Sequence, residues 1–344
     1  MNRIGEHFHG WIYAVFALIT LGVFFACVCL GSVSVPLKDT VRVLYDAVRG
    51  VPSDAALKLA RSVVVPVRLP RVLCVALVGS SLALAGAAMQ GLLKNPLADG
   101  STLGVSSGAS LGAVIAIACG ITFPKLPFAG TMVMAILFAL LSLLIILGLA
   151  YRLDCSLSTN TIILIGVIFS MFASSVMSIV ITFASDHIKS ITFWTMGSLQ
   201  GASFRNAAVL AGTLLVCGTV LLLHAKELNA FAVGEDNARQ IGVNVRRVRL
   251  VVLITVSCLI GVCVSIGGTI GFVGLVTPHL VRMITGPNHK RLLPASMFSG
   301  AVFLMLADLI ARTLLNPREL PIGVVTSIVG AIVFVCIYYR TRRR

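Results

Sequence analysis

The sequence predicts an all-α polytopic membrane protein, a bundle of about ten transmembrane helices. Three observations predict it. Asp, Glu, Lys and Arg make up only 11% of the 344 residues, against 58% hydrophobic residues; a soluble domain carries roughly a quarter charged residues because water must wet its surface. Apolar runs of about 20 residues, the length that crosses a bilayer at helical rise, recur along the whole chain. Those runs lack the alternation of barrel strands, so their backbone groups must be satisfied inside each segment, as helix.

Segment 1 covers Trp11–Leu30. It is long and has no small-x-small cleavage site, which predicts a first spanning helix rather than a removable signal. A moderately polar stretch follows, Ser32–Val67, with an amphipathic helix over Leu37–Val48. Segment 2, Val72–Leu93, stops at the turn signal Lys94-Asn95-Pro96. Segment 3 (Leu103–Ile121) is rich in Gly, Ser and Ala, and segment 4 (Ala129–Tyr151) leads to the polar loop Arg152–Asn160. Segments 5 and 6 cover Thr161–Ala184 and Ala207–His224. The largest polar insertion, Lys226–Arg249, precedes segments 7 (Leu250–Ile266) and 8 (Ile270–Ile284), both short and broken by glycine. Segments 9 and 10 cover Leu293–Leu314 and Ile322–Tyr339, and residues 1–344 read as a single membrane domain.

Ten crossings put both termini on one side. The tail residues Arg340, Arg342, Arg343 and Arg344, with Arg3, assign that side to the cytoplasm. The net charge of +15 is then a property of cytoplasmic loops, and nucleic acid is not an expected partner. Loops after segments 2, 4, 6 and 8 carry Lys94, Arg152, Lys226, Arg239, Arg246, Arg247, Arg249, Lys290 and Arg291. The first loop, residues 32–71, breaks the rule. It is external by parity, yet it holds Lys38, Arg42, Arg49, Lys58, Arg61, Arg68 and Arg71. Keeping the parity makes it a surface that needs positive charge.

Nine cysteines scatter through apolar runs without metal-type spacing, and six histidines form no cluster, so no metal site is expected. Gly104, Gly108 and Gly112 make consecutive G-x-x-x-G steps, which let helices approach closely; packing inside the bundle is favoured over a dimer face. Two stretches interrupt apolar runs with Gly, Pro, Ser and Asn: Asn95-Pro96 to Gly108, and Gly267-Gly268 through Gly271 to Pro278. They follow segments 2 and 7, at corresponding places in segments 2–5 and 7–10. Five crossings separate those units, which gives them opposite orientations, the pattern of an inverted repeat with gating at the breaks. Gln90, His279, Arg282 and Asp308 are the polar residues in apolar surroundings. For His279 a structural hydrogen bond is expected rather than a ligand role.

The blocks Arg68-Leu-Pro-Arg71, Ala85-Gly-Ala-Ala-Met-Gln-Gly91, Asn95-Pro-Leu-Ala-Asp99 and Leu103-Gly-Val-Ser-Ser-Gly-Ala109 recur in a known family. So do Trp194-Thr-Met-Gly-Ser-Leu199, Leu228 to Val243, Gly271-Phe-Val-Gly-Leu-Val-Thr-Pro-His279 and Glu319-Leu-Pro-Ile-Gly323. In this order and spacing the chain resembles the permease subunits of bacterial ABC importers for iron–siderophore complexes, haem and cobalamin. The likeness covers nearly everything beyond segment 1.

The residues support parts of that picture unaided. Gly234 and Gly242 bracket a short helix, Glu235 to Ile241, with Glu235 and Asp236 at its N-terminus, where the helix dipole favours acids. Ala230, Phe231, Val233, Ala238, Ile241 and Val243 supply apolar surface that must be covered by the bundle or by a partner. The resemblance implies that this loop, 226–249, including Arg239, forms coupling helices seated in an ATPase subunit. No G-x-x-x-x-G-K-[ST] phosphate cradle occurs, so the chain is expected to bind no nucleotide and to be no enzyme, with ATP consumed by the partner. Arg68 and Arg71, three residues apart, either anchor to headgroups or dock a partner. The resemblance implies that they, with Arg312, receive acidic residues of an extracytoplasmic substrate-binding protein. Arg312 also has Asp308 four residues before it, so an intramembrane ion pair competes.

The expected function is thus the membrane subunit of an ATP-driven importer in the bacterial inner membrane. It pairs with a second copy or a homologue, and an iron(III)–siderophore complex leads haem and cobalamin as cargo. One rival is a gradient-driven transporter using Asp308, Arg312 and His279; the long coupling-type loop argues against it. A second, an intramembrane enzyme, needs a nucleophile–base or metal constellation that the sequence does not offer.

Overall fold

Every regular element among the described residues is helical, and the elements follow the apolar runs of the sequence. In this computed structural model residues 10–50, 57–100, 102–122, 129–154 and 158–342 are described. The helices are α1 (Trp11–Cys29), α2 (Leu37–Arg49), α3 (Lys58–Val63), α4 (Leu69–Leu92), α5 (Val105–Ala118), α6 (Ala129–Leu153), α7 (Thr159–Phe183) and α8 (Ile188–Thr195). They continue with α9 (Phe204–Leu223), α10 (Ala225–Val233), α11 (Glu235–Gln240), α12 (Val245–Gly267), α13 (Val273–Thr285), α14 (His289–Thr313) and α15 (Ile322–Arg342). Among the described residues seven stretches are long and apolar enough to cross a membrane: α1, the α3–α4 rod, α6, α7, α9, α12 and α14. Expected segments 3 and 10 appear as the shorter apolar helices 105–118 and 322–337, and segment 8 as the 13-residue α13. Arg3, Arg343 and Arg344, which oriented the termini, lie outside the described residues.

Local chemistry sets the helix ends. Ser158, Ser203 and Asn244 cap α7, α9 and α12 by accepting from the backbone N–H of Thr161, Asn206 and Arg247. Pro66 has no N–H for a regular helix. It sits in a π turn, Val64–Arg68, that joins α3 to α4 without interruption. Segment 2 therefore begins earlier than its apolar run, and Arg68 and Arg71 lie in the rod instead of before it. The α12 helix likewise starts at Val245, inside the stretch expected to be loop, and α8 lies between expected segments 5 and 6.

The two four-helix units match element by element: long helix, break, short helix, two further helices. Their contacts match as well. The α4 helix packs on α14 as α12 packs on α6, and α5 packs on α6 as α13 packs on α14. The α4–α14 seam depends on small residues: a methyl on Gly79 would overlap the Gly300 carbonyl, and a methyl on Gly300 would overlap that of Gly79. Gly108 and Gly112 face Phe138, Ser142 and Met134 of α6, so that stripe serves packing within the bundle. The core is buried Ala, Leu and Val of α4, α5, α6, α12 and α14, while α1, α7 and α15 keep broad apolar faces outward.

Candidate docking, coupling and pathway sites

At one end of the bundle the last turn of α1 presents carbonyl groups that its own helix cannot satisfy, and the negative end of its dipole favours a cation there. Two arginines supply the donors. Arg68 donates to Cys29 O (2.7 Å) and Val28 O (3.2 Å), and also to Val33 O. Arg312 donates to Cys27 O (3.1 Å) and Leu30 O (3.4 Å). Arg312 Nε also lies 2.8 Å from Asp308 Oδ2, an ion pair without hydrogen-bond alignment. Arg71 joins the other Asp308 oxygen (2.9 Å from Nη2, 3.1 Å from Nε) to Glu319 (2.7 Å from Nη1). Asn316 donates to Ser32 O at 3.0 Å, and the Leu320 amide to Ala311 O at 2.9 Å. The network ties α1, α4, α14 and residues 314–321 together.

The three arginines expected to dock a partner are therefore internal: Arg68, Arg71 and Arg312 are 4%, 5% and 3% exposed. The Asp308–Arg312 pair that competed with docking is present. Two carboxylates far along the chain, Asp308 and Glu319, explain why Arg71 turns inward. Asn316 and Arg318, in the residues that follow α14, are exposed.

At the opposite end lie α10 and α11, divided at Gly234 as expected. The expected apolar set splits. Phe231 and Ala238 are fully buried in the bundle core, and Ala230 is half-buried. Val233 and Ile241 are 73% and 72% exposed. Asp236 and Arg239 form a loose exposed pair at 3.8 Å, whereas Glu235 pairs with the buried Arg249 of α12. Gly242 takes a positive φ of 86° and ends α11. Asn229 of α10 accepts from the backbone N–H of His289 (2.7 Å), meets its Nδ1 (2.9 Å), and donates to Asn288 Oδ1 (2.9 Å). The start of α14 is thus clamped to α10, a contact without a sequence signal because both partners are ordinary loop-type residues.

Between the ends lie the two breaks. Asn95 and Pro96 open the first, where Asn95 Oδ1 accepts from the Leu97 amide at 2.9 Å. Asp99 then accepts from Thr102 N at 3.1 Å, and Gly104 starts α5 at φ 73°. In the second break Gly268 (φ 67°) lies against the Trp194 carbonyl so closely that a methyl has no room there. The Ser198 amide donates to Gly267 O at 2.9 Å, and the Thr269 hydroxyl donates to Thr195 O. Pro278 is buried inside α13. A cavity of about 480 Å³ separates the breaks, lined by Asp99, Ser106, Ser110, Gly271, Phe272 and Ser327 among others. Gln90 bridges α4 to α13: it donates to Gly274 O (3.2 Å) and accepts from Arg282 (3.0 Å). The hydrogen bond expected for His279 is not found; its buried Nδ1 has no partner among the described residues, and its ring packs 6.4 Å from Phe334. Among the described residues no cluster of His, Cys, Asp or Glu is placed to hold a metal ion.

The model of the FecCD transport family matches residues 18–340. An uncharacterized ABC transporter permease protein YvrB of Bacillus subtilis is 40% identical over 99% of this chain and 95% of its own length. The vitamin B12 import system permease protein BtuC of Vibrio vulnificus is 38% identical, covering 84% of this chain and 86% of its own. The hemin transport system permease protein HmuU of Yersinia pestis is also 38% identical, covering 81% and 83%. A solved structure of an ABC transporter described as of metal-chelate type, in an inward-facing conformation, superposes with TM-score 0.84 at 30% identity over 96% of this chain and all of its own. The chain belongs to the FecCD transport family and is a multi-pass membrane permease of an ABC importer.

Proposed function

We propose that this member of the FecCD transport family forms half of a translocation unit, a second copy or homologue forming the other half. In this reading α10 and α11 seat in an ATPase subunit, and the end carrying Arg71 and Glu319 receives an extracytoplasmic binding protein. The chain crosses the membrane ten times with both termini in the cytoplasm, its two four-helix units running in opposite senses. The observation that carries the reading is the exposed pair Val233 and Ile241 on either side of α11. Apolar side chains at the tip of a short amphipathic element, outside any span, need a partner to cover them. Beneath them Phe231, Ala238 and the Asn229 clamp fix the element to the bundle, so movement of the partner is passed on to α14.

The docking role of Arg68, Arg71 and Arg312 takes a different form from direct reach. They organise the face, holding residues 314–321 and the end of α1 in one arrangement, while exposed groups such as Arg318 meet the binding protein. The two breaks and the cavity between them are the part of the pathway that rearranges when the ATPases close.

For cargo we propose a bulky metal chelate. Two of the relatives are named for vitamin B12 import and hemin transport, which moves those two ahead of the iron–siderophore complex that the resemblance first suggested. The cognate binding protein decides among them. Its melting temperature is expected to rise with cyanocobalamin or hemin; a rise only with a ferric siderophore reverses the order. Uptake by proteoliposomes containing permease, ATPase and binding protein is expected to require ATP. Uptake by the permease alone on a proton gradient would sink the reading.

A further inference from the structure

The helix α2 has a face that the bundle leaves open, and its residues are not random. At about 100° per residue, Leu37, Val41 and Tyr45 fall within about 80° of one another. Lys38, Arg49 and Arg42 occupy roughly the next 40° of the wheel. The apolar three are 65%, 58% and 54% exposed, and the three cations are exposed beside them. The far side of the helix is anchored: Val43 and Thr40 are buried, Val43 in one cluster with Cys27 and Val28 of α1 and Val64 of the π turn. The guanidinium of Arg49 lies 4.4 Å over the Tyr45 ring, a cation on the aromatic face.

The position of α2 says what covers this face. It follows α1 after a seven-residue connection and packs against the turn that opens α4, so it lies level with the ends of two spanning helices. Leu18, Leu21 and Phe25 of α1 and its C-cap residue Leu30 are exposed, an apolar flank that leads up to α2. An apolar stripe bordered by Lys and Arg, on a helix at that depth, has the character of an interfacial helix. We infer that α2 lies in the membrane interface at the Arg71 end, with Leu37, Val41 and Tyr45 among acyl chains and Lys38, Arg42 and Arg49 holding anionic phospholipid headgroups. Five of the seven cations of the first loop are thereby placed. Arg68 and Arg71 are internal, and the α2 cations serve lipid.

The test places a tryptophan on the face, Tyr45→Trp, in the full chain reconstituted in nanodiscs of equal phosphatidylglycerol and phosphatidylcholine. Its emission is taken as the difference from the parent that retains Tyr45. Brominated acyl chains are carried on one headgroup at a time. A basic side chain near an anionic surface favours it roughly fivefold, so brominated phosphatidylglycerol is expected to quench at least about threefold more than brominated phosphatidylcholine. In Lys38→Gln/Arg42→Gln/Arg49→Gln the quenching is expected to persist and the preference to vanish. Val41→Trp, one turn away from the Tyr45–Arg49 stack, reports the same thing independently. Three results overturn the inference: no quenching by either lipid, as for a face reserved for a protein; equal quenching with the native charges; or a preference that survives removal of the three cations.

Discussion

The helix α14 is pinned at both ends, and the two pins use different chemistry. Near its C-terminus Asp308 and Arg312, 1% and 3% exposed as side chains, join Arg71, Glu319 and the carbonyls of α1 in an ionic network. At its N-terminus Asn288 and His289 meet Asn229 of α10 through neutral hydrogen bonds. Buried ions hold their partners tightly, because any rearrangement strands a charge away from water. Neutral amides exchange partners at lower cost, since the net value of such a bond is about 1 kcal/mol. The ionic end therefore fixes α1, α4, α14 and residues 314–321 as one block, and the amide end ties α10 to α14 by bonds that exchange partners more cheaply. Under the proposed function that contrast separates a rigid end, where a binding protein docks, from an end that an ATPase drives.

Removing the centre of the ionic pin should have the largest effect. Asp308→Ala leaves Arg312 with backbone carbonyls alone and Arg71 with Glu319 alone. Stripping one member from a buried ion network costs about 3–5 kcal/mol, which should appear as a collapse of the detergent-solubilised melting temperature. Asp308→Ala/Arg312→Leu should recover part of the loss, because replacing a buried pair with apolar groups is far cheaper than orphaning one charge. A loss below about 1 kcal/mol for the single variant would show that water reaches the site and that the pin is weak.

The next effect lies between the two pins, at the seam that makes α4 and α14 one unit. Gly300→Ala places a methyl on the Gly79 carbonyl, and overpacking of this kind costs about 1–3 kcal/mol. Gly212→Ala in α9 meets nothing within 4 Å. It should stabilise the chain by up to about 1 kcal/mol through helix propensity. Opposite signs for the two substitutions would fix the seam as a close backbone contact; equal signs would remove it.

How much of this was legible beforehand differs between the ends for a physical reason. The α10–α11 division could be read because Gly234 and Gly242 punctuate a polar stretch, and local signals suffice there. The ionic pin could be read only in its local half, Asp308 with Arg312 four residues on. Its other half joins Arg71 to a carboxylate 237 residues away, and no periodicity reports that pairing. Spanning helices add a further difficulty. Lipid and core are equally apolar, so α1 and α4 look alike in sequence, although the span of α1 is 11% buried and that of α4 is 72%. Arg68 and Arg71 read as outer-surface residues because the parity of crossings makes residues 32–71 an external loop. The π turn that carries Pro66 into a continuous rod is what brought them inside. The helix α8 went unseen because eight residues in a loop of mixed character carry too little pattern.

The amide pin should yield a smaller stability effect and a different functional one. Asn229→Ala removes an acceptor for the His289 amide and ring and a donor to Asn288. The expected cost is about 1–3 kcal/mol, the price of leaving buried groups unpaired. In proteoliposomes with the ATPase and binding protein, ATP hydrolysis should continue while substrate moved per ATP falls. Equal falls in hydrolysis and uptake would mean that the clamp serves only folding.

The smallest effect on the chain itself should come from the surface beyond that joint. Val233 and Ile241 touch no core, so Val233→Asp/Ile241→Asp should change permease stability by no more than about 0.5 kcal/mol, the usual range for surface substitutions. Its effect should instead fall on assembly: two carboxylates placed in an apolar interface must be desolvated without a partner, and the ATPase should no longer co-purify. Phe231→Ala gives the converse, because that ring is fully buried; a cavity of that size costs about 3–5 kcal/mol, and stability and assembly should fall together. If the double aspartate variant retained the ATPase at native stoichiometry, the exposed pair would be lipid- or solvent-facing surface. The contrast between a fixed end and a driven end would then rest on Asn229 alone.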